Sequence, residues 1–254
     1  PKKYISALVS EDCWQATPGK VVDLVRNLGI AAGGTVMEDC RVLEACREGK
    51  YTSVLVQTHD KKYVEYRTEH FVNALGSGAG KLCDSMGIDA GLYPVRHQAF
   101  ITRRLPMLGK HGTNLDMLID RQDYKGFSAV YGQQIAYTGQ IIGCASPKLD
   151  AMRIDKNLKV NTKAFLEIVS EMFSEWIPDL AGVGIQAVWA GYYTEPRYIV
   201  DPELGLFVGM RGHGFMLSQY IARMYVDKLL GRPVPGYFEK LKLNGPGLSE
   251  KAFK

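Results

Sequence analysis

Three glycines and a histidine precede a helix start in the segment Ala187 to Arg223, which reads AVWAGYYTEPRYIVDPELGLFVGMRGHGFMLSQYIAR. Gly205 to Gly209 has the look of a buried strand. Gly209 to Gly214 is a loop holding Gly209, Gly212, His213 and Gly214, and Phe215 to Leu229 has helical periodicity. A strand, a glycine loop and a helix in that order present helix N-terminal N–H groups to something electron-rich. The glycines let a flat ring or a phosphate approach the backbone closely. The segment therefore reads as a cofactor site.

The elements that must position this loop can be outlined from pattern alone. Thr17-Pro18 predicts an N-cap with proline at the first helical position, and Val21, Val22, Leu24, Val25 and Leu28 follow with helical spacing up to Gly29. Residues 35–44, 51–58 and 63–67 alternate like strands, which predicts a helix followed by a three-stranded meander. His70 to Ala74 reads as a short apolar strand and Gly78 to Met86 as a helix closed by Gly87. From Tyr93 to Ile142, β-like runs broken by glycines predict an antiparallel sheet, and Lys163 to Trp176 reads as an amphipathic helix ended before Pro178. The tail from Gly236 reads as a surface segment or a subunit contact. The fold class is α+β with α/β elements.

Composition narrows the function classes. The 254 residues are 46% hydrophobic and 23% charged, enough for a substantial core and unlike a disordered chain. A net charge of +4, with scattered lysines and arginines, argues against nucleic acid as a partner. Five cysteines without a C-x-x-C pair argue against a disulfide framework and a zinc site. Two look-alikes of phosphate-binding loops fail on context. Gly182-Val-Gly184-Ile-Gln-Ala187 follows no strand, and Gly76-Ser-Gly-Ala-Gly80-Lys81 lacks the spacing and the Ser/Thr after lysine. With no apolar signal segment and no run long enough to span a bilayer, the expectation is a cytoplasmic protein, with peripheral membrane association left open.

Gly212-His213-Gly214-Phe215 resembles the flavin-contacting segment of amino-acid and amine oxidoreductases of the D-amino-acid oxidase type, a family that includes glycine oxidase, sarcosine oxidase and dye-linked proline dehydrogenase. Phe71-Val-Asn-Ala-Leu-Gly76 is similar to the family's strand ending in Asn-Ala-Ala-Gly, and Pro94-Val-Arg-His-Gln98 to its Pro-x-Arg-x-Gln segment. The three matches fall in family order across roughly residues 10 to 235. The G-x-G-x-x-G turn that receives the FAD pyrophosphate in this family has no counterpart in these residues. The chain thus resembles the later part of a flavoprotein, a subunit or C-terminal part whose FAD site a second protein chain carrying that motif would complete.

The resemblance implies FAD as cofactor, a small-molecule amine or amino acid as substrate, and hydride transfer to flavin N5 without an acid–base triad. It implies two intertwined domains. Residues 1–90 and 195–254 would form parts of a Rossmann-like FAD-binding domain, and 91–194 an antiparallel-sheet substrate domain. The implied cofactor contacts are Gly209, Gly212, His213, Gly214, Phe215 and Met216 at the ring, Ala74 and Gly76 at the ribose and pyrophosphate, and Val42 at the adenine. Candidate substrate contacts are Arg96, beside His97, with Tyr131 and Gln133 on one strand face, Tyr192, and Arg211. Tyr192 and Tyr193 are neighbours in a strand and point to opposite faces, so at most one of them lines a pocket. Three departures from the family pattern stand out. Ser77-Gly78 replaces a frequent tryptophan, Arg211 a small residue, and Val130-Tyr-Gly-Gln-Gln134 a stretch that often holds a carboxylate-gripping arginine. A non-catalytic scaffold or assembly subunit derived from the family is the alternative.

Overall fold

The Thr17-Pro18 start opens helix α1 (Pro18–Ala31), as the spacing predicts, but none of its residues is buried. Val22, Leu24 and Leu28 are each about three-fifths exposed, so its apolar stripe faces outward. The meander follows as β1 (Arg41–Glu48), β2 (Tyr51–Gln57) and β3 (Tyr63–Thr68), paired antiparallel in chain order. The strand expected from Thr35 begins only at Arg41, because Asp39 takes a left-handed φ of 53° that breaks the extended run.

The computed structural model describes residues 14–109, 112, 114–121, 126–135, 137–147 and 162–247. They fall into two compact units, one built on 94–193 and the other on 14–93 with 194–247. In the second unit, helix α2 (Ala79–Ser85) sets Leu82 against Ala45, Val54 and Val56 of the meander. The predicted strand at His70 to Ala74 is reduced to one isolated parallel bridge, between Asn73 and Leu206. The backbone of Asn73 is used up there: its N–H donates to Gly205 O and its carbonyl accepts from Phe207 N, so the pairing goes no further.

The rest of that unit is a hairpin of β9 (Ile199–Asp201) and β10 (Leu206–Val208), then helix α4 (Gly214–Leu229). Asp201 Oδ1 accepts from the N–H groups of Glu203 and Leu204 and so closes the hairpin turn. Ile221, Met224 and Tyr225 of α4 pack with Val200, Phe238 and Leu241. The tail expected on the surface is therefore partly core. The 3₁₀ turn Gly236–Leu241 buries Phe238 and Leu241 completely, and Arg197 donates to the carbonyls of Gly245 and Leu243 beyond it. Hydrophobic residues at 238 and 241, one 3₁₀ turn apart, outweigh the lysines around them.

The first unit is a five-stranded sheet in the order β5-β6-β7-β4-β8 covered on one face by α3 (Thr162–Trp176). The strands are β4 (Tyr93–Thr102), β5 (Leu118–Asp120), β6 (Phe127–Ile135), β7 (Gln140–Pro147) and β8 (Ile185–Glu195). The pairs β5/β6, β6/β7 and β4/β7 are antiparallel. Phe100, Val130, Ile141 and Ala145 face Phe165, Ile168, Met172 and Phe173 of α3. Among the described residues no helix is long and apolar enough to cross a membrane, and no cluster of His, Cys, Asp and Glu is built to hold a metal ion.

Candidate functional site

In the second unit the Asn73–Leu206 bridge joins two segments that the sequence marks separately. Because the pairing is parallel, both segments leave it in the same direction. One continues through Ala74 and Gly76 into a 3₁₀ turn (Gly76–Gly78) and α2, the other through Gly209 into a 3₁₀ turn (Arg211–His213) and α4. Ligands of α/β folds bind at such carboxyl ends, where helix starts follow strands. Asn73 is 1% exposed and holds the first turn from within. Its amide donates to Ala79 O at 3.0 Å, and its carbonyl oxygen accepts from Leu75 N at 3.3 Å.

The α4 start is open to a ligand. No side chain caps it and no acidic residue lies in its first turn, so its leading N–H groups keep their partial positive charge. Phe215 is 47% and Met216 67% exposed, and Gly212 and His213 are also exposed. Gly209 is buried and answers a need of the chain itself, since a Cβ there would sit 1.9 Å from Arg197 O. Gly76 has open space where a Cβ would be, and its φ of 54° asks for glycine. Val42 is half-buried against the Ala45, Val54, Val56 and Leu82 cluster.

Residues 195–198 brace the loop. Glu195 Oε2 accepts from Arg211 Nε at 2.5 Å in a half-buried ion pair, and Arg211 itself sits at a left-handed φ of 49°. The Tyr198 hydroxyl lies 2.5 Å from His213 Nδ1. Partial burial of its ring, with Arg211 adding to it, lowers the pKa of His213, while burial raises that of Tyr198. Both groups are therefore held neutral near pH 7.

In the first unit, the sheet face opposite α3 carries Tyr131 and Cys144, which are register partners, and by alternation Gln133, Ala99 and His97. Tyr193 of β8 joins them. Its ring stacks on His97 with centroids 3.8 Å apart and planes 25° apart, and its hydroxyl lies 3.4 Å from that of Tyr131. Burial raises the pKa of the Tyr131 phenol far above its ordinary range, with Cys144 adding to the effect, and burial pushes the Cys144 thiol up to about 11. The Tyr131 phenol is thus presented as a neutral hydrogen-bonding group, with the Tyr193 hydroxyl and the His97 ring beside it.

Of the two adjacent tyrosines, Tyr193 is the one that meets Tyr131. The Tyr192 hydroxyl is buried with no hydrogen-bond partner among the described residues. Alternation also sets Arg96 with Gln98 and Phe100, on the face away from Tyr131. The sequence reading gave no role to Asn73, Glu195 or Tyr198. The signals available for Asn73 were its place in the Asn-Ala-Leu-Gly76 match and a polar residue inside the apolar run Phe71 to Leu75.

Comparison with known proteins gives this geometry a family. The model of FAD dependent oxidoreductases, the DAO family, matches residues 1–228. No curated protein sequence matches significantly. Among solved structures, L-proline dehydrogenase from P. horikoshii superposes with a TM-score of 0.68 at 24% identity, over 89% of this chain and 59% of that one. Glycine oxidase from Geobacillus kaustophilus gives 0.64 at 18% identity, over 85% and 54%. Iminodiacetate oxidase from Chelativorans sp. BNC1 gives 0.65 at 14%, over 90% and 58%. At these identities the structures establish a shared fold, and the chain spans less than two thirds of the length of each. On the extent of the family match, the chain belongs to the FAD-dependent oxidoreductases of the D-amino-acid oxidase type.

Proposed function

We propose that the chain is part of an enzyme that dehydrogenates an amino acid or a secondary amine at the carbon beside nitrogen, with FAD as the oxidant. The observation that carries this reading is the parallel Asn73–Leu206 bridge, which sends both glycine-bearing turns out of the same end of one unit. The family is FAD-dependent. The residues present fit such a group: an uncapped helix start, exposed Gly212 and His213, and Gly76 with open space beside it. Gly209, Gly212, His213, Gly214, Phe215 and Met216 would hold the ring, Ala74 and Gly76 the ribose and pyrophosphate, and Val42 the adenine. The unit containing them would be the flavin domain and the 94–193 unit the substrate domain.

Bound FAD would supply the two-electron oxidation, as acceptor of the substrate's hydride at flavin N5. The protein has to orient the substrate, exclude water and keep the reacting amine neutral. Tyr131 and Tyr193 offer neutral hydroxyls that hydrogen-bond an amine or a carboxylate without placing a charge beside it, and Gln133 adds an amide on the same face. Arg211, with Glu195 across its guanidinium, would set a partly neutralised positive charge beside the ring loop. The outward apolar stripe of α1 supports a further polypeptide covering it, one that carries the dinucleotide fingerprint.

The test is purification of the protein from its native cells with whatever accompanies it, followed by a visible spectrum and amine titration. Flavin absorbance that bleaches anaerobically on adding an amino acid or a secondary amine is the expected result. A colourless preparation, or a flavin that no amine reduces, overturns the proposal.

A further inference from the structure

Among the described residues the Tyr198 hydroxyl has one hydrogen-bond neighbour, Nδ1 of His213 at 2.5 Å. Tyr198 is 9% exposed, and a buried O–H left without an acceptor costs more than a phenol oxygen left without a donor. An O–H with a single neighbour donates to it. That leaves Nδ1 of His213 as acceptor, and a neutral imidazole that accepts at Nδ1 carries its proton on Nε2. Burial raises the Tyr198 pKa; of the charged groups around the pair, Arg211 lowers it and so makes the hydroxyl the better donor, while Glu195 raises it. The Arg211 guanidinium disfavours an imidazolium beside it, and Glu195, which faces Tyr198 from the preceding segment, is itself engaged by Arg211.

We propose that Tyr198 is a positioning residue for the glycine loop: its hydroxyl fixes His213 as the tautomer protonated on Nε2. The loop then presents one oriented N–H donor at the foot of α4, beside the uncapped helix N–H groups. His213 is exposed, so this donor is available to a ligand, and it matches acceptor atoms along the edge of a heteroaromatic ring. The choice of ligand rests on the flavin reading above, whereas the tautomer does not.

The tautomer is read by long-range proton–nitrogen NMR of the full chain labelled with 15N histidine, the His213 signals being those that vanish in His213→Gln. The expected pattern is a bare, hydrogen-bonded Nδ1 and a protonated Nε2. Tyr198→Phe, which keeps the ring, should move the tautomer ratio toward Nδ1–H by about fivefold, the worth of one ordinary hydrogen bond. A proton on Nδ1 in the wild type, or an unchanged ratio in a folded Tyr198→Phe, overturns the proposal. Should Tyr198→Phe fail to fold, the wild-type Nδ1 shift decides: an Nδ1 that accepts a hydrogen bond supports the proposal, and a bare Nδ1 without one overturns it, because an imidazole free in water favours Nε2–H in any case. Adding FAD to the protein together with its accompanying polypeptides should then shift the Nε2 signal. If the tautomer is as expected and FAD leaves that signal unmoved, the flavin reading of the loop falls and the positioning role of Tyr198 stands.

Discussion

Gly209 lies against the backbone of Arg197, so close that a Cβ on Gly209 would stand 1.9 Å from the Arg197 carbonyl oxygen. Its φ of 71° adds a backbone cost for any other residue. Gly231, just past α4, shares the positive φ (68°), but a Cβ added there would meet nothing within 4 Å. Gly231→Ala should therefore cost about 1 kcal/mol, from backbone strain alone. Gly209→Ala should cost about 3 kcal/mol or more, because a carbonyl must move as well. Urea midpoints of the two variants measure the difference, and equal midpoints would contradict the close approach.

That contact also shows what a sequence can disclose. The glycine-rich 209–214 segment and its following helix were legible because strand, loop and helix are local patterns. The reason for Gly209 was not, since it lies in the carbonyl of a residue twelve positions earlier. Likewise Tyr131 and Gln133 are visibly on one face of a strand, but their meeting with Tyr193 and His97 depends on a strand order that places β4 between β7 and β8. The Asn73–Leu206 bridge spans more than a hundred residues and rests on a single pair of backbone hydrogen bonds, too little to leave an apolar period.

The two adjacent tyrosines should respond differently to loss of their hydroxyls. Tyr192→Phe removes a buried O–H that makes no hydrogen bond among the described residues, so stability should stay level or rise by up to about 1 kcal/mol, with KM unchanged. Tyr131→Phe removes a hydroxyl from the pair proposed to meet the substrate, and on that proposal KM for the amine should rise about fivefold, the worth of one hydrogen bond. Steady-state kinetics beside thermal melts separates them. A KM effect confined to Tyr192→Phe would reverse the assignment of faces.

Cys144 makes stability depend on pH at the alkaline end. Its thiol, 6% exposed, is pushed by burial from 9.0 up to about 11 in the folded chain. The folded state therefore holds this proton more tightly than the unfolded state does. The stabilisation is full below pH 9 and is lost as pH rises through about 11; it is on the order of 2 to 3 kcal/mol. Burial raises Tyr131 in the same direction and adds to the loss. Denaturation of wild type and Cys144→Ser at about pH 8 and about pH 10.5 should show the smaller drop in the serine variant. At about pH 8, Cys144 should also react with a maleimide far more slowly than the exposed Cys46.

Asn73 is where charge can be used to test the bridge. Its amide donates to Ala79 O and approaches the Cys83 sulfur at 3.4 Å, while its carbonyl oxygen accepts from Leu75 N. Asn73→Ala leaves the buried Ala79 carbonyl and the Leu75 N–H without these partners and should cost about 2 to 3 kcal/mol. Asn73→Asp keeps the acceptor for Leu75 N but sets a carboxylate against the Ala79 carbonyl in a site 1% exposed. Burial and that carbonyl disfavour the charged form, so the folded-state pKa of the new aspartate should lie above its unfolded value. The protonated acid can donate to Ala79 O as the amide did. The penalty of Asn73→Asp should accordingly be small below the unfolded pKa, near 4, and grow as pH rises toward 7, whereas that of Asn73→Ala stays flat. Urea denaturation of both variants at about pH 4 and about pH 7 decides it, and a pH-independent penalty for Asn73→Asp would mean that the side chain reaches water and does not clamp the turn.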